Sequence, residues 1–340
     1  MGCVCSQDDR NLEFKNEFYQ KNYEIDETIK TKPELLKSLT RLQGIVKGRF
    51  FRKNFNRETF NINGEEEDLT DYKHITTDKI SQKELEDLFK LYPPLDDGVE
   101  VEVRSPAQFN NKVIYFGEWD KTNNIRHGRG IQLWLDGAKF LGCWKNGKAC
   151  GKGKLIHADG DLYEGDWLDD KPSGYGIYTH SDGTQYEGEW KDDKQNGKGK
   201  EVWPDGTSYE GDYVDGKKQG YGIFKWSDKS MYKGQFENNN IHGKGVYTFA
   251  DGRQYDGDWK NNKLDGKGVF TWPDGRKYNG EYKNDKKEGK GLFEWSDGKK
   301  YKGEWKNGKQ HGFGEYYDPN ENKSRKGYWE NGKRTKWIND

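Results

Sequence analysis

The sequence predicts a mainly β protein, an elongated single-layer twisted antiparallel meander of β-hairpins preceded by a small α-helical N-terminal region. Three observations predict it. The pattern Tyr-x-Gly-x-aromatic recurs every 23 residues, from Tyr163/Gly165/Trp167 and Tyr186/Gly188/Trp190 through Tyr278/Gly280/Tyr282 to Tyr301/Gly303/Trp305, the mark of a tandem array. G-x-G pairs keep the same period without a slip from Gly128 to Gly312. Asp-Gly dipeptides such as Asp159-Gly160, Asp182-Gly183 and Asp274-Gly275 separate the end of one unit from the start of the next, and such dipeptides favour hairpin turns.

Each element follows from these columns. Tyr186, Gly188 and Trp190 are two apart, so on a strand they share one face while Glu187 and Glu189 take the other. On the second strand Gly199, Glu201 and Trp203 share a face, and Lys198 and Lys200 lie opposite, placed to pair with those glutamates. Asp228-Lys229 breaks the Asp-Gly rule and predicts a looser turn. A further column, Trp134, His157, His180, Trp203, Trp226, Phe249, Trp272 and Trp295, ends each second strand. Glycines on the ring-bearing face leave hollows that neighbouring rings cover, which accounts for a strand breaker recurring so regularly. Two earlier copies, at Tyr115 and Phe140, and a worn tenth at Arg325/Gly327/Trp329 complete the series.

Composition bounds the function. Only 30% of the 340 residues are hydrophobic and 34% are charged, which denies the chain a thick aliphatic core, while 15% aromatic residues allow ring packing instead. From Lys112 onward 41 basic residues face 37 acidic ones, so neither a nucleic-acid surface nor a charge-driven phosphoinositide surface is expected. Cys3, Cys5, Cys143 and Cys150 are too few for a secreted disulfide framework. A reducing, cytosolic setting is expected.

These columns resemble the MORN (membrane occupation and recognition nexus) repeat family, whose unit reads Y-x-G-x-W, then G-x-G, then D-G. The resemblance covers Tyr115 to Trp329, about nine hairpins and a degenerate last repeat. It implies a platform for protein partners, often linked to membranes or the cytoskeleton. The expected organisation is an acylated flexible terminus over 1–29, a basic amphipathic helix over 30–57, a linker and short helix over 58–98, and the repeat sheet over 99–340. In a single layer the ring face stays partly exposed, and Trp134, Trp203, Trp226, Phe249, Trp272 and Trp295 are its expected partner-binding residues. The open edge near Trp329 is expected to allow self-association.

The N-terminal third holds the addresses. Met1-Gly2-Cys3-Val4-Cys5-Ser6 fits M-G-x-x-x-[ST], the pattern for N-myristoylation of Gly2, and Cys3 and Cys5 are thiols suited to palmitoylation. Two chains hold a protein on a membrane where one does so only marginally. Lys30 to Arg57 carries nine basic residues against one acid, Glu34. Leu35, Leu36, Leu39, Leu42, Ile45 and Val46 recur there at helical intervals. Leu42-Gln43-x-x-x-Lys47-Gly48-x-x-x-Arg52 resembles an IQ motif, which implies a calmodulin-like partner. The same helix suits two other places, the ring face of its own sheet and anionic lipid. Ser81-x-x-Glu84 is a capping box opening a helix to about Tyr92, closed by Pro93-Pro94, and Val99 to Val103 alternates as a brief strand.

No catalytic constellation is evident. His127, His242 and His311 precede G-x-G pairs, and His157 and His180 replace Trp in the ring column, so the repeat explains them. The G-x-G pairs lack the context of a nucleotide loop, and the Cys and Asp-Gly positions lack the spacing of a zinc or calcium site. The expectation is therefore a non-enzymatic scaffold without cofactor or metal, on the cytosolic face of a membrane. Its alternatives are a cytoskeletal or ciliary component and a phosphoinositide-binding module.

Overall fold

The computed structural model describes residues 82–109 and 113–338. Helix α1 (Gln82–Leu91) comes first, and 21 strands follow in one open antiparallel sheet. The first strands are β1 (Val101–Phe109), β2 (Val113–Asp120), β3 (Arg126–Trp134) and β4 (Lys139–Lys145). The described residues fall into two compact units, 82–204 with 212–217, and 205–211 with 218–338. Within each unit, strands adjacent in sequence pair antiparallel, a meander.

Two kinds of turn alternate. The Asp-Gly turns span five residues: the Gly160 amide donates to His157 O at 3.0 Å, and the His157 amide to Asp161 O at 2.8 Å. Asp228-Lys229 forms the same turn, not a looser one. The Lys229 amide donates to Trp226 O at 3.0 Å, with Lys229 itself at φ 72° where its counterparts are glycine. Most other turns are two-residue links between paired strands, such as Asp169-Asp170 at φ 48° and 67° and Asn261-Asn262 at 47° and 66°. Positive φ at both positions is the type I′ geometry that matches strand twist, and Asn and Asp tolerate it best after glycine.

A row of facing glycines crosses the strands of each unit. In the first, Gly165 faces Gly176 and Gly176 faces Gly188; in the second, Gly257 faces Gly268 and Gly268 faces Gly280. The reason is contact: a Cβ on Gly176 would lie 2.5 Å from Tyr163 Cζ, and one on Gly165 2.5 Å from Gly176 Cα.

The first glycine of each G-x-G pair serves another purpose. Register slips between Gly165 and Trp167, and between Gly257 and Trp259, so a bulge stands in each Tyr-bearing strand. Opposite it, Gly174 and Gly266 adopt φ 109° and 115°. The acid between Gly and Trp of the motif accepts the amide just after that glycine: Asp166 Oδ2 from Tyr175 at 2.9 Å, Asp258 Oδ2 from Lys267 at 2.8 Å, Glu189 Oε1 from Lys198 at 2.9 Å. Glu189 thus bonds the Lys198 backbone, while the Lys198 amine pairs with Asp212. The expected facing of Glu187 and Lys200 holds in the register.

At its N-terminal end the sheet is covered on the face opposite the rings. Leu88 of α1, fully buried, lies in a cluster with Ile114, Ile131, Leu133 and Leu141, flanked by Phe89, Tyr92 and Phe116. Lys139 Nζ meets Glu84 Oε1 at 2.6 Å, and the Arg129 guanidinium lies 4.8 Å from the Phe89 ring. Strand β1 is longer than the expected Val99 to Val103 and pairs with β2. Pro106 falls where its register slips, between Arg104 and Ala107, a place where a missing amide costs no ladder bond.

Candidate partner-binding surface

On the ring face repeats that carry both Tyr and Trp, such as those of Tyr163 and Tyr255, build the same contacts. The Tyr163 ring lies on the Gly165/Gly176 pair and its hydroxyl donates to Asp166 O at 3.0 Å; Tyr255 does likewise to Asp258 O at 3.0 Å. The Trp two positions past the glycine donates Nε1–H to a glycine carbonyl of the strand before it, Trp167 to Gly153 O and Trp259 to Gly245 O, both at 3.0 Å. Edge-to-face pairs link the rings in series: Phe140 to Trp167 at 5.0 Å, Tyr163 to Trp190 at 5.2 Å, Tyr255 to Tyr282 at 5.3 Å and Tyr278 to Trp305 at 5.2 Å. Each such pair contributes about 0.5–1.5 kcal/mol beyond its area.

The consequence is that the inner rings of this face are buried and only part of its outer column stays partly exposed. Tyr163, Tyr209, Tyr255, Tyr278 and Tyr301 are wholly buried, and Trp167 and Trp259 are 3% and 7% exposed. With glycine beneath, one ring from each side suffices to exclude water, and no second layer is required. Burial raises the Tyr163 and Tyr255 hydroxyls well above the ordinary range, so they remain donors.

The outer column divides. In the first unit Trp134 is half-buried and Trp203 buried; in the second Trp226 is buried, whereas Phe249, Trp272 and Trp295 are half-buried. An inner column at the fourth position past each G-x-G start, including Tyr247, Phe270 and Phe293, went unremarked in the sequence although it keeps the 23-residue period. It supports the outer one. Phe249 lies 4.5 Å from Tyr247, Trp272 4.4 Å from Phe270 and Trp295 4.7 Å from Phe293. The accessible portion of this face is thus a supported line of Phe249, Trp272 and Trp295 in the second unit.

The sequence profile of the MORN repeat matches nine consecutive segments, 115–139, 140–162, 163–185, 186–208, 209–231, 232–252, 255–275, 278–300 and 301–323. The chain belongs to the MORN-repeat family. No curated protein matches it. Among solved structures it is similar to the TCP domain of SAS-4 (dCPAP) of Drosophila melanogaster in complex with a proline-rich motif of Ana2 (dSTIL), at 12% identity over 44% of this chain and 81% of that one, TM-score 0.29. It is also similar to a mutant TCP10 domain of Danio rerio CPAP, at 11% identity over 70% of this chain and all of that one, TM-score 0.34. These likenesses carry no argument about function.

Several MORN positions hold polar groups against the rings. The Asp161 carboxylate, which burial would raise, is held below its ordinary range by the Tyr178 hydroxyl at 2.6 Å, the Ser181 amide at 2.8 Å and the His180 ring at 3.1 Å. Glu201, 2% exposed, stands in the inner column and accepts from the Tyr213 hydroxyl at 3.0 Å. At the position two before G-x-G, Ile241 and Leu264 are buried. Lys287 fills the same place, its amine 4.4–5.6 Å from the rings of Phe293, Tyr278, Trp305 and Trp272. Burial, helped by nearby Arg276, pushes that amine down to about 7. Arg126 holds the equivalent place in the first repeat, 4.2 Å from the Trp144 ring, and burial lowers it to about 10.

His127 Nε2 bonds Asp97 Oδ2 at 3.1 Å, and His242 Nδ1 lies 3.4 Å from Glu237 Oε2. Cys143 is buried, its thiol pushed up to about 11 by burial. Among the described residues no group of three or more His, Cys, Asp or Glu could hold a metal, and no helix is long and apolar enough to cross a membrane. Gly2, Cys3, Cys5, Leu42, Gln43, Lys47, Gly48 and Arg52 lie outside the described residues.

Proposed function

We propose that this MORN-repeat protein is a non-enzymatic scaffold, tethered to the cytosolic face of a membrane by acyl chains at Gly2 and at Cys3 or Cys5. Its sheet presents the half-buried rings Phe249, Trp272 and Trp295, with Trp134 in the first unit, to a protein partner. A calmodulin-like protein gripping Leu42 to Arg52 regulates the attachment, since the same basic segment suits anionic lipid.

The supported line of outer rings carries this reading. The inner rings already bury one another without a partner, and Phe249, Trp272 and Trp295 of the outer column keep surface that the fold's own core does not cover. A rigid aromatic row with such surface is well suited to binding, because the rings lose little further freedom on contact.

Cell fractionation of wild type against Gly2→Ala tests the tether. Wild type with membranes and the variant in the supernatant support it. Both with membranes would overturn it, and both in a detergent-insoluble cytoskeleton would make the protein a structural part of that assembly. Binding of calcium-calmodulin to a Leu35–Arg57 peptide tests the regulatory step, which fails if none is seen.

A further inference from the structure

The face opposite the rings already receives one helix, and its receiving features recur elsewhere. Under α1 the residues Phe116, Ile131 and Leu141 face one another across β2, β3 and β4 in a single register row. Two cations complete that seat: Lys139, one residue before a motif aromatic, pairs with Glu84 of the helix, and Arg129, between the glycines of a G-x-G, lies on Phe89.

In the second unit the same row reads Ile223, Lys233, Val246, Asp256, Val269, Asn279, Leu292, Lys302, each residue facing the next across adjacent strands. Ile223, Val246, Val269 and Leu292 stand at the repeat position of Ile131 and are half-buried, with no element of the described chain in the place of α1. Lys277 and Lys300 stand at the position of Lys139, and Lys267 and Lys290 at that of Arg129. Acids are present too: Asp258 and Glu281 accept the backbone amides of Lys267 and Lys290, at 2.8 and 3.4 Å, and Asp258 also pairs with the Lys244 amine at 2.7 Å. Lys300 lies 3.9 Å from Glu294.

We propose that this row is a docking surface for an acidic amphipathic helix of a partner protein, lying across the strands. The spacing fits. Strands about 4.8 Å apart place one aliphatic residue every two strands, about 9.6 Å, and a helix advances about 10.5 Å in seven residues. Four such residues span about 29 Å, the length of a helix of about 19 residues. The partner's apolar residues seat along the row at heptad intervals, and glutamates flanking them meet the lysines, as Glu84 meets Lys139. Unlike the proposal for the rings, this one involves neither the tether nor the opposite face.

A fluorescein-labelled, stapled 21-residue helical peptide with Leu at every seventh position and flanking Glu serves as probe, titrated against the full chain by fluorescence anisotropy. Binding is expected, weakened about tenfold by Val246→Lys with Val269→Lys, since each buries a charge under the helix. Lys267→Glu with Lys277→Glu should weaken it comparably while leaving the aliphatic row intact, so the proposal stays open to refutation if the first variant misfolds. Trp272→Ala, on the ring face, should leave it unchanged. Absence of binding, or binding indifferent to both double variants, overturns the proposal. So does equal, variant-sensitive capture by phosphatidylserine vesicles, which makes the row a lipid surface. A dimer lost in the Val246/Val269 variant on sedimentation would make it a contact between two copies and overturn it likewise.

Discussion

Replacing Lys287 with leucine should stabilise the protein, and the pH dependence of the gain identifies its cause. Lys287 is 9% exposed with its amine amid four rings, where the repeats before it hold Ile241 and Leu264. Its proton affinity falls from 10.5 to about 7; at 1.36 kcal/mol for each tenfold change, the burial is worth about 5 kcal/mol against the charged form. Ring faces at these distances offset about 2 kcal/mol of that, leaving about 3 kcal/mol. Because the folded value lies below the unfolded one, the unfolded chain binds more protons between them, and wild-type stability climbs as pH rises from about 7 towards 10.5. Lys287→Leu lacks that climb. Urea unfolding followed by tryptophan fluorescence should therefore show the variant ahead by about 3 kcal/mol at pH 7 and the gap closing by pH 10. A variant less stable at pH 7, or a gap of the same size at both pH values, would refute the reasoning.

Further outcomes follow from the same contacts. Gly176→Ala drives a Cβ into the Tyr163 ring and should cost about 3 kcal/mol by overpacking, whereas a Cβ at Gly137, in a turn, meets nothing within 4 Å, so Gly137→Ala should lose only about 1 kcal/mol through its positive φ; thermal unfolding of the pair checks the ranking. Tyr255→Phe removes one hydroxyl-to-carbonyl bond and should cost about 1 kcal/mol in the same assay. Asp161 has a folded proton affinity below its unfolded one, so its contribution is complete above the ordinary aspartate value and disappears as pH falls through the folded one. Asp161→Asn should accordingly lose stability at neutral pH and converge with wild type in acid, as read by urea midpoints across pH.

What was legible in the sequence was whatever repeats at a fixed spacing on one strand. The Tyr, Gly and Trp columns implied alternating faces, and the meander follows from them. Cross-strand chemistry was harder to see. That Asp166 and Asp258 accept amides at the bulge depends on a register slip that no single strand reveals, although an acid or glutamine recurring at one place was available as a signal. The two-residue turns are readable too, as Asn-Gly, Asp-Asp and Asn-Asn between strands. The seat of α1 was hidden because apolar residues at Phe116 and Leu141 matter only by contrast with the charged or polar residues, Glu164 through Lys302, that later repeats place there. The full burial of the Tyr rings was hidden for a related reason: glycine on the neighbouring strand is what lets a ring lie flat, and that neighbour is distant in sequence.

The series of edge-to-face rings carries a consequence for how such an array ages and fails. Tyr163 and Tyr278 each touch one ring of their own repeat and one of the adjoining repeat, so the loss of one such ring is felt only next door and the rest of the array keeps its seal. Stability in such a chain is a sum of neighbour contacts. It has no keystone, and it opens first at its least well-matched joint. Positions such as Lys287, where a cation interrupts the rings, are where it would part.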